Sequence, residues 1–305
     1  MQIRFYTHEQ IDKAKWDDCI RRSVNALIYG YSFYLDIVCP QWNALVAGEY
    51  EALMPLPHRK KFGIKYLYQP AFTQQLGIFS TIHTNQEITD KFIEEATRRY
   101  KFIDLNLNYG NKPTQGNMNC NLVLPLDRSF GEIKKSFRKD LVNKANSVQL
   151  ILSEPPADFV IDLFRKEYGP RLPHITVADY DRLKAVFQVL HARQMSFTKA
   201  VSNEAGELVS AAIFYKDDHR IYYILGTITE AGRRLQANAW LLHEVIREYA
   251  GTNKLFDFEG SNIPSIQSFF RKFGARVESY SSIHINDLGM PLSWIKSTYT
   301  RWKNA

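Results

Sequence analysis

The sequence predicts an α+β protein made of two similar halves, and three observations carry that prediction. Strand-like and helix-like periods mix, with hairpins and no regular βαβ series. The same order of elements occurs twice, with a period of about 150 residues, too long for a solenoid and suited to a duplicated domain. The composition, 45% hydrophobic and 23% charged over 305 residues, is that of a globular chain able to bury a core.

The elements follow in order. Ile3 and Phe5 alternate with Arg4 and Tyr6, a first strand. Thr7 and Gln10 have capping-box spacing ahead of the helical run IDKAKWDDCIRR. WNALVAGEYEALMPLP and KYLYQP are strand-like, with a turn at Gly48. Ile88, Phe92, Ala96 and Tyr100 return to helical spacing, and the strand FIDLNL follows. In the second half Ile133, Phe137, Leu141 and Ala145 are four apart and predict one apolar helix face. Val160, Leu163 and Phe164 mark another helix, stopped by GPRLP, and ADYDRLKAVFQVLHAR a third. Three strands joined by turns at NEAGE and KDDH span Ser196 to Gly226. Leu235, Ala239, Leu242, Ile246 and Tyr249 share a helix face, and the strand KLFDFE comes after it. The halves align on their words: Leu76-Gly77 matches Leu225-Gly226, and Asp104 matches Asp257. A boundary near Pro125 gives domains 1–125 and 126–305.

The net charge of +7 suits an anionic ligand such as a nucleotide cofactor and is low for a nucleic-acid binder. The densest patch, Lys134 to Lys144, sets five basic residues against Asp140, which a solvated helix face explains. Cys19, Cys39 and Cys120 have neither zinc nor disulfide spacing, and the eight histidines form no ligand cluster, so no metal is expected. No apolar run approaches ~18 residues, and the N-terminus lacks a signal pattern. The expectation is a cytoplasmic protein without a membrane span.

Candidate chemistry concentrates in the second half. GRRLQANAW opens a helix, and Arg234-Leu235-Gln236-Ala237-Asn238-Ala239 fits R-x-x-G-x-A with Ala for the first Gly. Such a turn aims backbone N–H groups and a helix N-terminus at a pyrophosphate, with Arg233 and Arg234 adding charge. Arginine at a helix start opposes the dipole, which favours a bound anion there.

This order of elements resembles the GNAT acyltransferase fold. Its R-x-x-A-x-A helix and a later aromatic helix with Phe270, Lys272, Gly274 and Ala275 carry the likeness. The duplication, with FDFEGSN followed by FFRKFGA, is more similar to the FemAB group and its GNAT-like relatives. The resemblance implies two tandem GNAT-like domains, each a mixed, mostly antiparallel sheet flanked by helices. The first would be a degenerate copy and the second would handle the acyl group. It also implies acetyl-CoA or another acyl-CoA as co-substrate, with its pyrophosphate on the segment holding Arg233, Arg234, Gln236, Ala237, Asn238 and Ala239. Phe270 stands where the family often has a tyrosine that protonates the leaving thiolate; Tyr280 or an unaided thiolate would substitute. STIHTNQEITD replaces the Arg-rich loop in the first half, which implies one active site.

Acyl transfer to an amine needs a base, because an ammonium is not a nucleophile. Asp257 and Glu259 are two apart in a strand and would share a face. Asp257 recurs as Asp104 in the half without the loop and reads as structural; Glu259 aligns with Asn106 and is the base candidate, or an ion-pair partner. Gly260-Ser261-Asn262 predicts a turn that caps the next helix through Ser261 or Asn262 and presents N–H groups to a carbonyl or phosphate. One of Tyr222 and Tyr223 should face the groove. Gln69, Gln74 and Gln75 would line an acceptor cleft between halves, or satisfy their own loop. Three functions follow: a coenzyme A-dependent N-acyltransferase with a small-molecule or peptide amine acceptor; a FemAB-like transferase moving an amino acid from aminoacyl-tRNA onto a peptide or cell-wall precursor; or a binding protein on this scaffold.

Overall fold

The structure is a computed structural model and describes residues 2–141, 149–260 and 262–288. The chain forms two compact units, Met1–Asn119 with the chain from Tyr280 on, and Cys120–Ser279.

The first unit runs β1 (Ile3–Tyr6), α1 (Lys13–Arg22), α2 (Ser32–Val38), β2 (Asn43–Ala47), β3 (Ala52–Leu56), β4 (His58–Lys61), β5 (Ile64–Tyr68), β6 (Phe79–Ser80), α3 (Gln86–Thr97) and β7 (Phe102–Asn106). Strands β1-β2-β3-β6 form an antiparallel sheet, and the β4–β5 hairpin joins β7 in parallel. The Thr7–Gln10 capping box closes only a 3-10 turn, His8–Gln10. The helix itself starts later, because the Asp12 carboxylate accepts the N–H groups of Ala14 and Lys15.

The second unit uses β8 (Asn117–Pro125), α4 (Phe130–Lys134), β9 (Ile151–Ser153), α5 (Ala157–Tyr168), α6 (Val177–Ala192), β10 (Ser196–Ser202), β11 (Leu208–Lys216), β12 (Arg220–Ile228), α7 (Glu230–Leu235), α8 (Ala237–Tyr249), β13 (Leu255–Asp257) and α9 (Pro264–Arg271). Its sheet runs β8-β13-β12-β11-β10-β9 with one parallel pair, β12 and β13. The last strand, β14 (Arg276–Asn286), pairs through Ser282–Asn286 with β7 of the first unit. Val123–Pro125 of β8 pair with β13 of the second. Chain order puts 120–125 in the first half and 280–286 in the second; strand pairing assigns each to the other unit.

Each unit has its own core. Leu45, Met54, Phe92, Ile103 and Ile283 belong to one, and Leu124, Phe214, Leu242, Ile246 and Phe256 to the other. Ile133, Phe137 and Leu141 are all buried, but not on one continuous helix. Helix α4 stops at Lys134, the Ser136 hydroxyl donates to the Ile133 carbonyl at 2.6 Å, and the Arg138 N–H turns to the Lys272 carbonyl at 2.8 Å. Lys144 and Ala145 lie outside the described residues.

The duplication is visible in register. Parallel β5 and β7 pair Tyr68 with Asp104, and parallel β12 and β13 pair Tyr222 with Asp257. Among the described residues no helix is long and apolar enough to cross a membrane. Among them, too, no group of three His, Cys, Asp or Glu residues is placed to hold a metal ion.

Candidate active site

In the second unit the parallel pair parts early. β13 ends at Asp257, opposite Tyr222, while β12 continues to Ile228. On its other edge β12 has a bulge, since Ile213 pairs with Leu225 and Phe214 with Tyr223, which skips Ile224. The pairing therefore parts beyond Tyr222, and the segments that leave the C-terminal ends of the strands are Thr229–Asn238 and Phe258–Gly260. Ligands of open α/β sheets bind in such a crevice. The equivalent place in the first unit is filled by its own chain. The Gln69 side chain accepts the Asn106 N–H at 3.0 Å, and the Leu76 N–H donates to the Asn106 carbonyl at 2.9 Å. The Gln75 side chain accepts the Tyr109 N–H and donates to Gln74, and the Gln74 carbonyl accepts from the Asn106 amide at 2.9 Å. These glutamines hold their own loop together.

Arg233 and Arg234, expected at the start of the long helix, instead end a short helix of their own. The Thr229 hydroxyl caps α7 by accepting the Gly232 N–H at 3.0 Å, and both arginines lie in its last turn, where they complement the dipole rather than oppose it. Arg234 is paired with Glu230 at 3.1 Å and is exposed. Gln236 then takes a left-handed conformation, φ 53°, and α8 starts at Ala237. The N–H groups of Ala237, Asn238 and Ala239 open that 13-residue helix. Gly232 must be glycine, because an added Cβ would lie 2.1 Å from the Val209 carbonyl oxygen.

The two tyrosines separate cleanly. Tyr222 is fully buried and donates to Asp217 at 2.5 Å. Tyr223 lies on the other face, donates to the Asn238 side chain at 3.0 Å, and meets Phe270 edge-on at 6.2 Å. Burial pushes its phenol up. Phe270 in turn packs on Phe258 at 4.8 Å, so aromatic rings link β12, α9 and the segment after β13. The Tyr223 hydroxyl sits over Gly226, where an added Cβ would lie 1.7 Å away. Gly226→Ala is therefore expected to destabilise the protein by about 1–3 kcal/mol. In a Tyr223→Ala background the penalty should shrink, a coupling that a denaturation double-mutant cycle measures.

Asp257 and Glu259 do not share a strand face, as their spacing suggested, because the strand stops between them. Glu259 is left-handed, φ 51°, and its N–H donates to the Asp257 carboxylate at 3.0 Å. Asn121, which sequence reasoning missed, locks this turn. Its amide oxygen accepts the Gly260 N–H at 2.7 Å and its nitrogen donates to Asp257 at 2.9 Å. Gly260 fits against the backbone of Asn121 and Leu122, with an added Cβ only 2.8 Å from both. Asn262 does not cap α9, whose N-cap is Ile263; its side chain accepts the Cys120 N–H at 2.9 Å. Ser261 lies outside the described residues. Asp257 is buried in an ion pair with Arg220 at 2.8 Å, and Arg220 also grips Glu278 with two nitrogens, at 2.6 and 3.1 Å. Tyr280 is on β14, 8% exposed, in the first unit. His243 is buried with its Nδ1 2.9 Å from Glu244.

Comparison with known proteins agrees with this geometry. Residues 134–262, which contain β12, β13 and α8, match the family described as acetyltransferase (GNAT) domain. Several solved structures are similar over nearly the full chain. FemX has 14% identity and a TM-score of 0.63, covering 97% of this chain and 99% of its own. A tandem GNAT protein from the clavulanic acid biosynthesis pathway has 10% identity and a TM-score of 0.51, covering 93% and 98%. L-PGS from Bacillus licheniformis has 13% identity and a TM-score of 0.51, covering 96% and 97%. No curated protein matches the chain. The fold is thus a duplicated GNAT-like one, and the match to the GNAT domain falls in the second half.

Proposed function

We propose that the protein is an N-acyltransferase that moves an acyl group from acyl-coenzyme A to an amine. The parting of β12 and β13 beside the β12 bulge carries this reading, because the corresponding edge of β7 in the first unit is bonded by its own Gln69–Leu76 loop. A bulged strand end leaves backbone groups for an extended, amide-bearing arm. The α8 N-terminus suits the pyrophosphate, with Gln236 turning the backbone toward it and Arg233 nearby. Such a donor supplies an activated thioester. Glu259, on the facing segment, takes the proton from the acceptor ammonium; the nitrogen–carbon bond forms, the carbon–sulfur bond breaks, and N–H groups where the pairing parts hold the oxyanion. Phe270 cannot donate a proton, and a thiolate leaves without one.

A second reading is favoured by Phe270, which stands where a proton donor to a leaving thiolate would, and by the likeness to FemX. In it the donor is aminoacyl-tRNA. Calorimetric titration with acetyl-coenzyme A distinguishes the two. Binding in the roughly micromolar to millimolar range, weakened about tenfold in Arg233→Ala/Arg234→Ala, is expected for the first reading. No binding, together with transfer from charged tRNA to an amine, replaces it with the second. Neither result from an intact fold leaves a binding protein on this scaffold.

A further inference from the structure

The β4–β5 hairpin breaks two local rules at its tip. Its register pairs Lys61 with Ile64, so Phe62-Gly63 is a two-residue loop with both residues at positive φ, 49° and 81°. That turn favours Asn-Gly, and a bulky aromatic in its first position is strained. The register also sets Lys60 directly opposite Lys65, a repulsive pair. Phe62 is 78% exposed, the most exposed large apolar side chain among the described residues. Arg59, Lys60, Lys61 and Lys65 surround it, and no acidic residue occurs between Glu51 and Glu87. Strain, repulsion and exposure at one apex oppose stability, which points to a role outside the fold.

We infer that this hairpin docks on an anionic membrane surface. Cross-strand partners share a face, so Lys60 with Lys65 and Arg59 with Lys61 place cations on both faces of the ribbon. The ring at the apex enters the headgroup layer while the long cationic side chains stay at the phosphates. A single-stranded nucleic acid fits less well: it stacks on rings laid along an open groove, whereas Phe62 stands at the apex, and Tyr66 and Tyr68 are half-buried against each other with Arg59 over Tyr68 at 4.1 Å. The inference is independent of the acyl-transfer reading.

The test is co-sedimentation of the full chain with vesicles of phosphatidylcholine alone and of phosphatidylcholine with an equal amount of phosphatidylglycerol. Wild type should bind the anionic vesicles and be released by salt. Lys60→Gln/Lys61→Gln/Lys65→Gln should weaken binding on the order of a hundredfold, from roughly fivefold for each lysine. Phe62→Asn should weaken it about tenfold and yet raise the melting temperature, because Asn suits the turn; a structural phenylalanine would lower both. Equal binding to the two vesicle types overturns the inference, as does binding unchanged in the variants or no binding at all. Salt-sensitive capture of bulk tRNA without vesicle binding would reassign the surface to nucleic acid.

Discussion

Arg220→Ala should cost about 3–5 kcal/mol of stability, the expected loss when one partner of a buried ion pair is removed. Arg220 is 2% exposed and Asp257 1%, and Glu278 completes the cluster. Without the guanidinium, two carboxylates remain together in a poorly solvated place. Burial already pushes the Glu278 carboxyl up, against the opposing pull of Arg220. Removing Arg220 raises it further, so the folded variant binds protons that the unfolded chain releases. Its stability then falls as pH rises through the carboxylate range and recovers on acidification. Urea midpoints at neutral and acid pH measure both effects. A neutral-pH loss under about 1 kcal/mol would show that the cluster is solvated. Arg220→Lys should lie between, because a point charge cannot make the fork that holds Glu278 by two nitrogens.

That cluster shows where sequence reading stops. Periodicity places elements well, because side-chain spacing follows local geometry: the run from Ser196 to Gly226 is three strands, and Ala239, Leu242 and Ile246 lie on one helix. The duplication is also legible, down to Asp104 and Asp257 sharing a register position. Pairing between distant segments is not. Nothing local says that Arg220 meets residues 37 and 58 positions away, or that β8 completes the second sheet. Left-handed turns were equally hidden, because Gln236 and Glu259 lack the glycine that usually marks them. Glu259 adopts that conformation because Asp257 and Asn121 hold the N–H groups of Glu259 and Gly260, and Asn121 is more than a hundred residues upstream. The break between α7 and α8 is hidden in the same way, because α7 is held by the Thr229 cap and its fit on Val209, not by an apolar face of its own.

Glu259→Gln should lower turnover of an amine acceptor roughly 10²–10⁴-fold, the range for loss of a general base, with donor affinity unchanged. The amide keeps the size of the side chain and cannot take the proton. Glu259→Gly separates this role from a structural one. Its backbone is already at φ 51°, so glycine should relieve strain and raise stability by about 1 kcal/mol while removing the carboxylate. Stability and turnover then move in opposite directions, which no account of Glu259 as a fold-holding residue produces. A high pH, where the amine is free, should recover part of the lost rate, because the base is needed only while the acceptor is an ammonium. Turnover equal to wild type in both variants would remove Glu259 from the reaction.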